Sequence, residues 1–421
     1  FRCTQCDKCL RAMSKEQIRI DRHHYFNRKG RVENHKTISE ISRRHGKVFL
    51  DRRNARYLVE ENIRDDVEFD LKIGCCEYFA DSETDEEEEE HEEENEEEEN
   101  ETILNGDTFC KWACLQPQRS LKEVFGGADF FCWRTVVRDI AETVVFHNPK
   151  KKGRRWSRIA LRAGDVIMLG IDDSGFFLSD SEESENELDD EGGGEENNEE
   201  MKREERVEED EKEERKRERM EDIKVLTERQ RYYSGYKFEQ YMTSKKPQGK
   251  SEPEKPLEKR NFQTVMTLDL TEDYYEPIKI CSFAEVDALR GDEPIEIKST
   301  YAEGFASKLH TFLHCNFANM KSLITGIRDE DFVVRRVFER RTCELQRQLA
   351  NKMPGESRAD EKSYSFLHDV LSMTRQVLTR AEACRFSYLP RSGIIQFEPI
   401  SLSEAEKRGH GFVFLYSITR K

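Results

Sequence analysis

Residues Ile280–Lys298 decide the fold, and they read ICSFAEVDALRGDEPIEIK. Two runs of apolar residues, each interrupted by polar ones, flank the segment Arg290–Pro294. Glycine, aspartate and proline in that segment favour a turn. Strand, turn and strand in this order predict a β-hairpin.

The predicted hairpin carries three carboxylates and one lysine. Side chains two positions apart on a strand share a face, so Glu285 should lie beside Asp287 and Glu296 beside Lys298. If the two faces coincide, the acids repel one another unless a divalent cation lies between them. Hard oxygen ligands suit Mg²⁺ or Mn²⁺. The layout is typical of a metal-dependent nuclease, and the alternative is a solvated edge hairpin with outward-facing charges.

The charge of the chain is unevenly distributed. The 421 residues carry a net charge of −18, but residues 81–101 contain 16 acidic and no basic residues, and residues 180–200 contain 12 acidic and none basic. Without these tracts the remainder carries about +10, which suits a nucleic-acid binder. Ordinary solubilisation of the surface is the alternative reading of that positive remainder.

Composition also bears on the compartment. No stretch of 18 apolar residues and no hydrophobic signal segment occurs, so we expect a soluble intracellular protein that does not enter a membrane. The 12 cysteines are scattered, and several lie in apolar runs. This usage predicts buried free thiols in a reducing compartment, without disulfides.

The sequence predicts one interrupted domain. We expect a polar leader over residues 1–37 and a single domain over residues 38–418, with acidic disordered insertions at 81–101 and 172–222. Apolar periodicity predicts strands and helices within this domain. The predicted strands include Thr143–His147, Val166–Ile171, Gly393–Pro399 and Gly411–Ile418, and the predicted helices are Tyr232–Ser244, Ala306–Asn316 and Tyr364–Thr379.

Four short motifs follow one another along the chain. They are Phe131-Cys132-Trp133-Arg134, Gly235-Tyr236-Lys237-Phe238-Glu239, Glu285-Val286-Asp287 and Glu296-Ile297-Lys298. The set resembles the DXO-like decapping exoribonuclease family, which shows an arginine in a Trp-Arg pair, a Gly-Tyr-Lys-Phe-Glu segment, then Glu-x-Asp and Glu-x-Lys. The similarity covers most of the chain from residue 38 to residue 418 outside the acidic insertions.

The resemblance implies a fold and an activity. The implied fold is mixed α/β, with two mainly mixed β-sheets flanked by helices and a central cleft that holds the active site. The implied activity is metal-dependent hydrolysis at RNA 5′ ends. Members remove incomplete or non-canonical caps, including unmethylated guanosine and NAD caps, or a 5′ triphosphate, and some then degrade the RNA from its 5′ end in RNA quality control.

The resemblance also implies roles for individual residues. Two divalent ions, Mg²⁺ or Mn²⁺, would be held by three carboxylates and one main-chain carbonyl, those of Glu239, Asp287, Glu296 and Ile297. Glu285 would bind metal through water and face the substrate. Lys298 would orient the attacking water or offset charge on the scissile phosphate. Arg134 would bind RNA or cap phosphates, for which its bidentate fork is suited.

The chain departs from the family pattern in one helix. Family members usually present a glutamine toward the substrate where this chain has Cys315, so Cys315 is the expected substrate contact at that position. The change leaves open a second function, that of a catalytically weakened RNA-binding regulator or partner of a 5′-to-3′ exoribonuclease. The hairpin alone also leaves a DNA nuclease open.

Partners and location complete the expectations. We expect the 5′ end of single-stranded RNA as the substrate, a 5′-to-3′ exoribonuclease as a candidate protein partner, and a monomer. The basic run at residues 150–155 is compatible with a nuclear import signal, and an exposed hairpin loop is the alternative. We therefore expect the nucleus, with the cytoplasm as the second option.

Overall fold

The computed structural model describes residues 16–21, 23–44, 47–75, 78, 111–113, 115–116, 120–147, 155–172, 229–243, 261–301, 304–350 and 357–408. The acidic segment 81–101, all of the segment 172–222 except its first residue, and the expected strand Gly411–Ile418 lie outside the described residues. What the sequence suggested for these three segments stays a prediction.

Strands account for most of the described regular structure. In chain order they are β1 (Glu16–Arg19), β2 (Arg31–Arg44), β3 (Lys47–Phe49), β4 (Phe69–Asp70), β5 (Phe130–Trp133), β6 (Trp156–Ala163), β7 (Val166–Ile171), β8 (Asn261–Thr271), β9 (Ile278–Glu285), β10 (Ala288–Arg290), β11 (Glu293–Thr300), β12 (Ser322–Arg328), β13 (Val333–Arg341), β14 (Ala383–Leu389) and β15 (Ile394–Ile400).

The described strands form two sheets. The larger has ten strands in the order β1-β15-β14-β6-β7-β5-β9-β8-β2-β3, and the smaller has five in the order β10-β11-β12-β13-β4. Strand β5 runs parallel to β7 and β9, and β11 runs parallel to β12, whereas the other neighbours are antiparallel. The expected mixed α/β fold with two mixed sheets is confirmed.

Helices cover both sheets. Those with at least four described residues are α1 (Leu121–Val124), α2 (Arg134–Phe146), α3 (residues 229–243), α4 (Phe305–Phe317), α5 (Thr342–Gln348), α6 (Ala359–Val377) and α7 (Leu402–Arg408). Helices α2, α4 and α6 share a core with one face of the larger sheet, while α3 packs on the smaller sheet. None of the described helices combines the length and apolar composition needed to cross a lipid bilayer.

The expected hairpin is only partly present. Strands β10 and β11 do form a hairpin, in which Ala288 pairs with Ile295 and Gly291 takes a positive φ in the turn. Strand β9, however, lies in the larger sheet between β5 and β8. Its apolar side chains are buried on both faces, which requires a central position with a core on each side. The chain therefore crosses from one sheet to the other just after Glu285.

The expected strand Thr143–His147 is wrong, because these residues end helix α2. Thr143, Val144 and Val145 are β-branched, and β-branched residues favour strands. In the structure, buried residues recur at helical spacing from Val136 through Ile140 to Val144. Packing of this face against the larger sheet outweighs local propensity.

The larger sheet also extends into the segment expected to be a polar leader. Strand β1 pairs with β15, and β2 begins at Arg31 and pairs with β8 along its length. The boundary expected at residue 38 falls inside β2. These strands are polar because they lie near the sheet edges, where alternate side chains face solvent. The other predicted helices and strands that fall within the described residues agree with the structure to within a few residues at each end.

Candidate active site

Four carboxylates converge where the two sheets meet. Glu239 comes from helix α3, Glu285 from the end of β9, Asp287 from the crossing segment and Glu296 from β11. We call these four residues the acid cluster. Each acts electrostatically on at least one of the others. Elements distant in sequence thus bring together the acids that the motifs singled out.

The acid cluster is strongly perturbed. Burial, opposed by Arg56 but reinforced by Glu285 and Glu296, raises the pKa of Glu239 to about 8. Burial and the charges of Glu296 and Glu239 raise the pKa of Asp287 well above its ordinary value. Without a cation, the cluster therefore holds protons at neutral pH that isolated carboxyl groups would have lost.

Glu296 behaves in the opposite way. Burial would raise its pKa, but His314, Arg134 and Lys298 lower it to about 2. Its Oε2 atom is buried and accepts no hydrogen bond from any described residue, and Arg134 Nη1 lies 3.7 Å away. An ionised, buried oxygen with an unused lone pair is a suitable ligand for a cation.

The donor set fits a hard divalent metal ion. All four acids offer oxygen ligands, and Asp287 Oδ2 accepts a 2.8 Å hydrogen bond from the main-chain nitrogen of Ile297, which fixes that carboxylate beside β11. Several carboxylates converging in a buried position are the environment in which Mg²⁺ or Mn²⁺ offsets mutual repulsion. Glu239, Asp287 and Glu296 could hold the metal, together with the adjacent Ile297 carbonyl.

Two predicted cations adjoin the acids. Arg134, the first residue of α2, is buried, and its only hydrogen bond among the described residues is a weak one of 3.8 Å to Met320 Sδ. Lys298 Nζ donates a 3.1 Å hydrogen bond to Thr311 Oγ1 on helix α4. Neither cation is tightly bound to a carboxylate, so both retain the capacity to bind a phosphate.

The structure adds a histidine that sequence reasoning missed. His314 Nε2 lies 3.3 Å from Glu296 Oε1, and His314 Nδ1 lies 3.1 Å from Arg138 Nη1. Since the guanidinium can only donate, Nδ1 accepts and Nε2 carries the proton directed at Glu296. Burial lowers the pKa of His314 despite the neighbouring carboxylate. Arg134 and Arg138 are four residues apart and therefore share one face of α2. That spacing was the available sequence signal for a second basic residue near the acids, and Arg138 is the residue that contacts His314.

Arg56 is a second residue that the structure places beside the acid cluster. Its Nη1 lies 3.5 Å from Glu239 Oε2, and its guanidinium lies 5.7 Å from the centre of the Tyr236 ring. Arg56 precedes an isolated bridge between Tyr57 and Leu289 of strand β10, which holds this segment against the smaller sheet. Only that tertiary contact brings Arg56 to the acid cluster.

Cys315, on helix α4, has no solvent-exposed surface in the structure. Its side chain is fully buried in the cluster formed where the sheets meet, with Phe262, Val286 and Met320 among its neighbours. Burial raises the pKa of the thiol well above its ordinary value, so the group is an inert apolar filler. The charges of Glu296 and Asp287 act on this thiol, and its expected contact with substrate stays a prediction. The preceding residue, His314, is the one that faces the acids.

A protein-family model identifies this arrangement. The model described as RAI1-like PD-(D/E)XK nuclease matches residues 199–413, more than half of the chain. Glu296-Ile297-Lys298 has the (D/E)XK pattern in the family's description. No curated protein sequence matches the chain significantly.

Solved structures share the fold at low sequence identity. Scheffersomyces stipitis Rai1 in complex with (3'-NADP)+ and calcium ion matches with a TM-score of 0.58 and 15% identity, over 94% of this chain and 97% of its own. Candida albicans Rai1 in complex with pU5-Mn2+ gives 0.59 and 14% over 97% and 99%. K. lactis Dxo1 in complex with manganese gives 0.52 and 10% over 92% and 98%.

The chain belongs to the RAI1-like PD-(D/E)XK nuclease family. This membership confirms the resemblance that the four motifs indicated. The protein is therefore a hydrolase of the nuclease class, and PD-(D/E)XK nucleases use divalent metal ions.

Proposed function

We propose that this protein removes incomplete or non-canonical caps from RNA 5′ ends, namely unmethylated guanosine caps, NAD caps or a 5′ triphosphate, and then degrades the RNA from the 5′ end. The observation that carries the proposal is the convergence of Glu239, Asp287 and Glu296 in one partly buried site with Lys298 alongside. The relatives solved with pU5-Mn2+ and with (3'-NADP)+ support a polynucleotide and a dinucleotide as ligand classes.

The residues divide the work by their chemistry. A bound divalent ion supplies Lewis acidity, which activates water and offsets charge on the phosphoryl oxygens. Glu239, Asp287, Glu296 and the Ile297 carbonyl would hold that ion, and Glu285 would bind it through water. Neutral His314 donates to Glu296 Oε1 and fixes the orientation of that carboxylate.

The two cations address the substrate. Lys298, fixed by its hydrogen bond to Thr311, orients the attacking water or offsets the charge on the scissile phosphate. Arg134 Nη1 lies 3.7 Å from Glu296 Oε2, and its planar fork binds a second phosphate of the 5′ end. A triphosphate or a cap linkage presents more than one phosphate to this pair.

The test is a panel of RNAs that differ only at the 5′ end: triphosphate, unmethylated guanosine cap, methylated cap, NAD cap and monophosphate. Each is incubated with purified protein and Mn²⁺, with chelator, and with the Glu296→Gln variant. We expect metal-dependent release of a cap or pyrophosphate product that the variant does not produce. Mononucleotides from the monophosphate RNA would establish the exonuclease step. A DNA of matched sequence tests the DNA nuclease alternative.

The second candidate function is a non-catalytic regulator of a separate 5′-to-3′ exoribonuclease. Its support is Cys315, an inert residue where the family places a substrate-facing glutamine. It would be favoured if no RNA in the panel released product while the protein bound an exoribonuclease and raised its rate. Retention of the complete acid cluster with Lys298 argues for the enzyme.

A further inference from the structure

Helices α2 and α4 face each other with polar side chains beside the acid cluster. Arg138 and Glu142 lie one turn apart on α2, and His310 and His314 lie one turn apart on α4. His314 Nδ1 lies 3.1 Å from Arg138 Nη1, and His310 Nδ1 lies 2.9 Å from Glu142 Oε2. The two histidine rings are nearly parallel, with centroids 6.4 Å apart. The inner histidine therefore meets a cation, whereas the outer one meets an acid.

The partner of His314 Nδ1 decides which ring nitrogen carries the proton. A guanidinium nitrogen donates hydrogen bonds and accepts none, so Nδ1 is the acceptor of the contact with Arg138 Nη1. The proton of the ring is then on Nε2, which lies 3.3 Å from Glu296 Oε1. A ring protonated on both nitrogens would place two donors against each other at Nδ1. The geometry therefore makes His314 a neutral donor to Glu296.

Arg138 is itself fixed by a chain of ion pairs. Asp139 Oδ1 accepts hydrogen bonds from Arg138 Nη2 at 2.7 Å and from Arg138 Nε at 3.2 Å, which directs Nη1 at His314. Asp139 Oδ2 accepts from Arg158 Nη2 at 2.9 Å. Arg158 lies on β6, is 5% exposed, and donates from Nη1 to the main-chain carbonyl of Ser157 at 2.8 Å. The chain anchors the Arg138 guanidinium to the larger sheet.

The two oxygens of Glu296 are left with different capacities. Oε1 receives the proton of His314, whereas Oε2 is buried and has no hydrogen-bond partner among the described residues. A metal ion would therefore meet one open oxygen of this carboxylate instead of two. Mg²⁺ and Mn²⁺ favour octahedral sites built from single oxygens, while the larger Ca²⁺ takes more oxygen ligands and readily binds both oxygens of one carboxylate.

We propose that Arg138 and His314 are positioning residues that set which divalent ion the acid cluster prefers. Arg138 holds His314 in the tautomer protonated at Nε2, His314 occupies Oε1 of Glu296, and Oε2 remains for the metal ion. The pair thereby favours Mg²⁺ or Mn²⁺ over Ca²⁺. The inference rests on the role of Glu296 as a metal ligand in the proposed function, and it extends that role from binding an ion to selecting one.

Calorimetric titration of the metal-free full-length protein tests the proposal without RNA. Mn²⁺ and Ca²⁺ are titrated separately into wild-type protein, His314→Leu and His314→Gln. We expect His314→Leu to weaken the Kd for Mn²⁺ about tenfold, the usual loss when a partner of a metal ligand is removed. The Kd for Ca²⁺ should change by less than about threefold, because the freed Oε1 becomes available to the larger ion. His314→Gln, whose amide can donate from a similar position, should restore most of the affinity for Mn²⁺.

His310→Leu is the matched control for these titrations. It removes a histidine one turn away on the same helix, and the partner of that histidine is Glu142 and not a member of the acid cluster. The ratio of the two Kd values should stay within about twofold of the wild-type ratio. Equal changes of both Kd values in His314→Leu, an unchanged Kd for Mn²⁺ in that variant, or the same change of ratio in His310→Leu would overturn the proposal.

Arg138→Met tests the tautomer by a spectroscopic signature. The ¹⁵N shifts of the ring nitrogens distinguish a histidine protonated at Nε2 from one protonated at Nδ1, and the His314 signals are assigned by their absence in His314→Leu. In chelator we expect the Nε2-protonated form in wild-type protein and a mixture of both forms in Arg138→Met. The Kd of Arg138→Met for Mn²⁺ should lie between those of wild type and His314→Leu. An Nδ1-protonated ring in wild-type protein, or an unchanged tautomer in Arg138→Met, would refute the role of Arg138.

The proposed function and the selection of the ion can fail separately. If wild-type protein hydrolyses none of the RNAs in the panel, the Kd values and the ring shifts are still measured, and the expected change of ratio would support ion selection without the chemistry. If the panel is hydrolysed while His314→Leu keeps both wild-type Kd values, the proposed function stands and ion selection by His314 is rejected.

Discussion

Two partly buried groups of acids in this protein are neutralised in different ways. In the first, the Arg28 cluster (Arg28, Glu272, His368 and Asp369), the guanidinium donates to both carboxylates at once, with Nη1 lying 2.6 Å from Asp369 Oδ2. In the second, the acid cluster, the nearest cations lie 3.5 and 3.7 Å from Glu239 and Glu296.

The difference shows that proximity of ligand atoms does not by itself identify a metal site. Oxygen and nitrogen atoms of Glu272, His368 and Asp369 lie within 4.8 Å of one another, yet Arg28 occupies the position that a metal would take. His368 Nε2 is committed to the carbonyl of Glu276 at 3.0 Å. In the acid cluster, one buried carboxylate oxygen accepts no hydrogen bond from a described residue, and the pKa of Asp287 is raised by its acidic neighbours. Both features are those of a site that a metal ion would stabilise.

The largest expected effect separates the two groups by activity. Glu296→Gln should reduce kcat by at least about 1,000-fold, because stabilisation of charge at the phosphate is lost. Single-turnover hydrolysis in Mn²⁺ measures the rate. Asp369→Asn is the matched variant in the Arg28 cluster and should retain near wild-type kcat for the folded fraction. A large loss of kcat in Asp369→Asn would contradict the conclusion that the acid cluster is catalytic and the Arg28 cluster is structural.

Removing Arg28 should have the next largest effect, on stability. Arg28→Met leaves two carboxylates without their cation, one of which, Glu272, is buried, so the free energy of unfolding should fall by about 3 kcal/mol. Urea denaturation measures the change. Arg31→Met is the control, because its exposed pair with Asp273 should contribute less than about 1 kcal/mol. Similar losses in both variants would remove the contrast between buried and exposed pairs.

Glu239→Gln should change how the stability of the protein depends on pH, because this carboxylate, unlike those of the Arg28 cluster, has no closely bound cation. In metal-free protein the pKa of Glu239 is about 8 against an ordinary value of 4.5, so between these values the unfolded chain loses a proton that the folded protein keeps. The free energy of unfolding therefore falls as pH rises, and glutamine removes that loss. Because Glu239 is 26% exposed, solvent moderates the effect, and we expect Glu239→Gln to raise Tm by roughly 3 °C at pH 8.

The measurement for Glu239→Gln is a thermal melt in chelator at pH 5 and pH 8. The gain in Tm should be small at pH 5 and larger at pH 8. Addition of Mn²⁺ should stabilise wild-type protein more than the variant, because the ion binds the ionised carboxylates. A Tm gain that is the same at both pH values would show that the pKa of Glu239 is not raised.

The smallest expected effect concerns how Lys298 is held. Thr311→Val removes the hydroxyl that accepts from Lys298 Nζ at 3.1 Å, so the ammonium loses one fixed orientation. We expect kcat to fall about fivefold with KM unchanged. Thr311→Ser, which keeps the hydroxyl, should restore most of the rate. Equal kcat for both substitutions would show that the methyl group, not the hydrogen bond, matters.

The sequence by itself determined which residue types the site would contain. Glu239, Asp287, Glu296 and Lys298 stand in short motifs whose order and chemistry indicate a metal-dependent nuclease, and the family match confirms that class. Helices α3, α4 and α6 were also predictable, because their apolar residues recur at helical spacing over ten or more positions.

Only the tertiary structure decided how those residues meet. The crossing after Glu285 places β9 and β11 in different sheets, and no local pattern distinguishes that path from one continuous hairpin. His314 and Arg56 join the acids through contacts between elements far apart in sequence, while Cys315 turns into the core. Local periodicity reports which side of an element is buried, but the partner on that side is set by packing of the whole chain.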